Sequence, residues 1–163
     1  MNEKAKYYIQ KLQLKKHPEG GYFREVYRSG EMISIDVPKK NLKRNVSTSI
    51  YFLLEGSQIS KFHRLKSDEL WHFCEGDPLD LHCIDPGAWE AQILRLGPRA
   101  EGVSLVHVIR AGCWQAACST GGYTLVGCTV APGFEYRDYR IFEDGSAEAA
   151  ELRRRFPGLA RFL

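Results

Sequence analysis

The fourteen residues from His63 to Gly76 hold a histidine, two adjacent carboxylates (Asp68 and Glu69), a tryptophan (Trp71) and a second histidine (His72). From Glu69 the odd positions run Glu69, Trp71, Phe73, and the even ones Leu70, His72, Cys74. Residues two apart on a strand share a face. Glu69 and Trp71 therefore point one way and His72 the other, with His63 on the neighbouring strand across a short bend. A carboxylate beside aromatic rings inside β-structure is costly without a partner. Burial raises its pKa and a protonated histidine lowers it. In either state the pair is placed to move protons, so His63 and Glu69 are the candidate catalytic groups.

The rest of the chain must position that pair. Residues 2–14 carry Ala5, Tyr8, Ile9 and Leu12 at helical spacing, with Asn2 as cap. The run His17-Pro18-Glu19-Gly20-Gly21 ends that helix and turns the chain. Tyr22–Tyr27 and Met32–Ile35 read as strands, and the basic stretch between Asp36 and Asn45 as a solvated polar loop. Strand-like runs then recur at 47–54, 58–63, 69–74, 79–84, 89–96, 103–109, 113–118 and 123–130, most of them separated by glycine, proline or aspartate turns. Short strands at that spacing predict an all-β sandwich or barrel. Ser146 caps a final helix over Ala147–Arg155, which Pro157 stops.

Bulk properties exclude several classes. The 163 residues suit one domain with a real core, and 23 basic against 20 acidic side chains leave a net charge of +3. That balance argues against nucleic acid or an anionic membrane surface. No apolar run approaches a membrane span, and the first residues lack the apolar stretch of a signal peptide, so the expected location is the cytoplasm. Five cysteines, without a CxxC pair, are expected as reduced, buried thiols. His72 and His82 are expected at the surface or an interface.

The His63–Gly76 stretch resembles the first motif of the cupin superfamily, G-x5-H-x-H-x3,4-E-x6-G. Gly56 precedes His63 by one residue more than the pattern asks, Leu65 replaces the second histidine, Glu69 falls on the glutamate and Gly76 on the final glycine. The second cupin motif is similar to the run from Arg110 to Gln115, with Gly112 kept and Gln115 in place of histidine. More closely, the whole chain resembles the DUF985 or cupin 5 family. The segments that carry this likeness are His17–Glu25, Ser49–Leu54, Phe62–Phe73, Gly112–Ala117 and Val130–Phe134. The resemblance implies an RmlC-like cupin jelly-roll barrel with short N- and C-terminal helices, paired as a homodimer. It implies much less about function, because one barrel hosts many chemistries.

Three readings of the site stay open. Metal-dependent cupins use three histidines and a glutamate; here His63, Glu69 and Gln115 stand at matching positions, a weak set for a divalent transition metal. No cofactor is therefore expected. The RmlC-like epimerases work without metal, through a histidine base and a tyrosine acid. By that resemblance His63 is the base, Glu69 its orienting partner or a second base, and Tyr51 or Tyr22 the acid. The substrate would be a keto sugar or its phosphate, with Arg24 or Lys61 at the anionic group. Tyr22, Arg24, Ser49, Trp71 and Gln115 are the expected ligand contacts. The third reading is a non-catalytic binder of a small molecule. The in-or-out phase of each short strand is open by one residue, and a slip of one reverses every side chain.

Overall fold

A computed structural model describes residues 2–37 and 40–163. Alternation along one strand sets its plan. In β5 (Thr48–Glu55), Phe52 and Leu54 point into one apolar cluster, while Leu53 and Tyr51 point into another. The strand is therefore covered on both sides. Its inner neighbours include Trp71, Leu81, Val126 and Cys128. Its outer face packs under α1 (Glu3–Lys11), through Ala5 and Leu14. Asn2 caps α1 by accepting from the Lys4 and Ala5 amides.

Two sheets carry the fold. Along the chain come β1 (Lys15–Lys16), β2 (Tyr22–Arg28), β3 (Met32–Val37) and β4 (Lys40–Asn45), then β5, β6 (Ile59–Leu65), β7 (Asp68–Gly76), β8 (Leu79–Asp85) and β9 (Glu90–Leu96). β10 (Val106–Ile109), β11 (Trp114–Ser119), β12 (Tyr123–Ala131) and β13 (Tyr139–Ile141) complete them. One sheet has the order β1-β2-β5-β12-β7-β10 and the other β13-β6-β11-β8-β9, with β3 and β4 as a separate hairpin. Face to face they form the expected jelly roll, although no ladder among the described residues closes it into a barrel. The outer face of the second sheet is sealed by α2 (Ala147–Arg155) and the 3-10 turn Pro157–Phe162. Leu152 and Phe162 pack there on Phe62, Trp114 and Phe142. Ser146 accepts from the Ala149 amide, as its place before α2 predicted.

Three expectations are corrected. The stretch between Asp36 and Asn45 is strand rather than loop where it is described, since β4 pairs with β3; Pro38 and Lys39 lie outside the described residues. Arg44 is buried there because Asp138 takes its Nε at 2.7 Å. His82 is buried because the C-terminal turn lays Phe162 over it, with ring centroids 4.7 Å apart. All five cysteines are free thiols, yet Cys74 is exposed. It sits where the β7–β12 register shifts, as the extra residue between Phe73 and Glu75.

Candidate active site

Two bulges decide which side chains enter the space between the sheets. In β6, Gln115 lies opposite His63 and Ala117 opposite Ser60, so β6 holds one residue more than β11 over that span. The extra residue changes the alternation, and both Ser60 and His63 face inward while Phe62 packs outside. In β2 the register shifts between Glu25 and Tyr27 opposite Ile50 and Ser49. Glu25 and Arg28 thereby share the inner face although they are three residues apart.

The turn before β2 delivers the group that matters most. Gly20 has φ +112°, and a Cβ there would stand 2.1 Å from the Ile59 carbonyl. Only glycine lets the turn lie this close to β6. The Lys61 amide donates to Glu19 O at 2.9 Å and fixes the approach. Glu19, 6% exposed, then reaches His63. Its Oε2 lies 2.8 Å from His63 Nδ1, which also stands 2.8 Å from Lys61 O. Two acceptors on Nδ1 place a proton there and leave Nε2 for chemistry. The Tyr139 hydroxyl donates to the same Glu19 oxygen at 3.3 Å. His17 Nδ1 stands 3.5 Å from Glu19 Oε1.

Across the space, Glu69 is also 6% exposed. The Gln115 amide nitrogen donates to its Oε2, and Trp71 Nε1 donates to Gln115 Oε1 at 3.0 Å. This chain holds the Gln115 amide with its N–H toward the carboxyl group.

Burial works against a charged His63, but the charge and hydrogen bond of Glu19, with the charge of Glu69, outweigh it and raise its pKa to about 9. For Glu19, burial pushes upward, and His63 and then His17 pull it below the ordinary carboxylate value. Glu69 has no such partner. Burial raises it to about 7, and its attraction to His63 and hydrogen bonds from Gln115 and Trp71 offset only part of that. Burial, then Glu19, pushes the Tyr139 phenol far up, so it stays protonated. Burial lowers His17 and keeps its ring neutral.

These groups line a cavity of about 120 Å³ between the sheets. Its walls include Phe23, Ile50, Leu65, Cys128 and Val130, and its rim includes Phe134 and the exposed Tyr136. Of the site residues expected from sequence, His63 and Glu69 face this cavity. Trp71 and Gln115 lie behind Glu69, in the core. Tyr51 and Tyr22 lie on the opposite face of the sheet, in the cluster under α1. Ser49 is on that outer face as well, with its hydroxyl 3.2 Å from Thr129 Oγ1. Arg24 points outward and donates to Leu12 O and Gln13 Oε1. The residues of these two strands that line the cavity are Phe23, Glu25, Arg28, Thr48 and Ile50. The phase of β2 and β5 is thus one residue from the one expected. Glu19 and Tyr139 were missed. Glu19 stands between a proline and two glycines and reads as turn punctuation. Tyr139 enters only because β13 pairs with β6, with Ile141 opposite His63.

The donors do not suit a cupin metal. Leu65 has no ligating atom, and the one Gln115 atom able to ligate, Oε1, accepts from Trp71. Among the described residues, no group of three His, Cys, Asp or Glu side chains is arranged around a common metal position.

The jelly roll and its enclosed cavity define a cupin. The chain belongs to the cupin family DUF985, Cupin_5, whose profile matches residues 6–142. An uncharacterized protein of Saccharomyces cerevisiae, YML079W, is 42% identical over 167 residues, covering 88% of this chain and 82% of that protein. A solved hypothetical protein from Leishmania major is 35% identical with a TM-score of 0.80, over 96% of this chain and 94% of that one. Oxalate decarboxylase from Bacillus subtilis is similar in fold alone, with 13% identity and a TM-score of 0.58 over 85% of this chain and 33% of that one. No helix among the described residues is long and apolar enough to cross a membrane.

Proposed function

We propose that this cupin binds a small carbonyl compound between its sheets and moves a proton at the carbon beside the carbonyl, as a metal-independent isomerase or epimerase. One observation carries the reading. A histidine held as a cation by Glu19 and a carboxyl group with a pKa of about 7 face the same buried cavity. Titratable groups pushed apart by their surroundings are the usual mark of an acid and a base.

The roles follow from those states. Glu69, ionised, takes the proton from the substrate carbon. The C–H electron pair moves to form the C=C bond, the carbonyl π pair moves to oxygen, and His63 gives its Nε2 proton to that oxygen. Return of the proton from Glu69 to the adjacent carbon on the same face gives the isomer. The enediol O–H proton then returns to His63. Glu19 stabilises the imidazolium before transfer, and Tyr139 holds Glu19 in place. This assigns the base to Glu69 and the acid to His63, with Tyr139 rather than Tyr51 as the phenol of the site.

The test is deuterium wash-in. Hydroxyacetone and small keto sugars are incubated in D2O with the protein, and exchange at the carbon beside the carbonyl is followed by NMR. The expected result is exchange that falls about 100-fold or more in Glu69→Gln and in His63→Gln. Exchange unchanged in both variants would overturn the assignment.

A second reading, a non-catalytic binder, is favoured by the internal pairing of Glu69 with Gln115 and of His63 with Glu19. It predicts binding without wash-in. The proposal also includes a homodimer, supported by the exposed Val106 and Val108 on the edge strand β10. Sedimentation velocity returning a monomer across the micromolar range would remove it.

A further inference from the structure

The cavity carries more carboxylates than cations, and its cations are already taken. Glu19, Glu25, Glu69 and Glu135 line it. Against them stand His63 and Arg28, with His17 held neutral. His63 gives its charge to Glu19 at 2.8 Å. Arg28 lines the cavity as well, but every arm of its guanidinium is bonded. Nε and Nη2 donate to the two Glu25 oxygens at 3.0 and 2.8 Å. Nη1 donates to Asn45 Oδ1 at 2.9 Å and to Phe134 O at 3.3 Å, and it stands 3.5 Å from Glu135 Oε1. Glu135, partly exposed, shares Arg28 with Glu25 and is held by it only at 3.5 Å, and Glu69 is buried in the cavity wall.

We infer that the ligand of this cavity is an uncharged hydroxycarbonyl compound, and that phosphorylated and carboxylated analogues are rejected. The inference rests on the proton-transfer reading and deepens it, dividing free keto sugars from their phosphates. Two physical effects act together. An anion entering meets Glu135 and Glu69 with no uncommitted cation to receive it. Any ion also loses water to walls of Phe23, Ile50, Leu65 and Val130. A neutral polyhydroxy carbonyl avoids both effects and can still accept from His63 Nε2. Size agrees, since the interior of about 120 Å³ is somewhat smaller than the roughly 150 Å³ apolar cavity that holds benzene. A three- or four-carbon unit fits inside, and a longer chain must continue past Tyr136.

Matched probes test this. Hydroxyacetone, hydroxyacetone phosphate and pyruvate are titrated into the protein, and the ring resonances of His63 are followed by NMR. The expected result is saturable displacement by hydroxyacetone, with both anions at least about tenfold weaker. In Glu135→Gln, a substitution at the partly exposed rim, the gap between hydroxyacetone and its phosphate should narrow. Either anion binding as tightly as hydroxyacetone overturns the inference. So does an unchanged gap in Glu135→Gln, and so does failure of hydroxyacetone to move the ring. Binding of hydroxyacetone without deuterium wash-in leaves the ligand class standing and removes the catalytic reading, so the two failures are distinguishable.

Discussion

Glu19 Oε2 and His63 Nδ1 meet at 2.8 Å, one from a turn beside the first sheet and the other from the second. The pair makes His63 a cation in a place where burial alone would make it neutral.

Removing that charge should release the ring. In Glu19→Gln the His63 pKa is expected to fall from about 9 to below its ordinary 6.5, because burial then acts with little opposition. Ring-carbon shifts against pH measure it directly. A pKa that stays near 9 would mean that Glu69 or Lys61 O holds the proton.

The pH–rate profile of kcat/KM should be bell-shaped. Its acid limb, near 7, comes from protonating the base Glu69, and its alkaline limb, near 9, from deprotonating the acid His63. Glu19→Gln should draw in the alkaline limb. Glu19→Asp, which keeps the charge, should restore part of the width. A profile unmoved by both variants would deny Glu19 this role.

Glu69 and His63 should make stability fall as pH rises from about 4.5 to about 9. Between about 4.5 and 7 the folded chain keeps a proton on Glu69 that the unfolded chain has released. The His63 contribution is complete below 6.5 and is lost as pH rises through about 9. Folding therefore binds protons in both windows and weakens as they are removed. Comparing the melting temperature of the wild type with Glu69→Gln from pH 4.5 to 7 isolates the first window. The variant should gain on the wild type as pH rises, and parallel curves would show that Glu69 titrates normally.

Gln115 and Trp71 should tune Glu69 without touching the ligand. Gln115→Leu removes the amide donor, and Trp71→Phe removes the N–H that orients it. Each is expected to push the Glu69 pKa above about 7. The carboxyl carbon shift reads this, and a fall in either variant contradicts the orientation of the amide.

Breaking the buried Arg44–Asp138 pair tests how the rim is held. Asp138 is bound by Arg44 in the turn Tyr136–Asp138, directly before Tyr139. Arg44→Ala leaves a largely buried carboxylate without its main partner and should cost about 3 kcal/mol in denaturant unfolding. A loss under about 1 kcal/mol would show that solvent or Lys66, 3.5 Å away, replaces it.

Much of this molecule was determined by sequence alone. Strand spacing gave an all-β sandwich or barrel, the resemblance to the cupin family implied the jelly roll, the two capped helices stand where Asn2 and Ser146 place them, and the family profile matches residues 6–142. The shared face of Glu69 and Trp71 was legible because unbroken alternation over a few residues is a local property. Tertiary structure decided the rest. Bulges in β6 and β2 add a residue to one strand of a pair, and this sets the phase that turns His63, Glu25 and Arg28 inward. In β2 and β5 that phase leaves Tyr22, Arg24, Ser49 and Tyr51 outside. Register is fixed between strands, so no single strand reveals it. Glu19 met His63 for the same kind of reason: Gly20 lets a turn lie on β6 at a distance no side chain would allow, and that closeness is a property of two segments together.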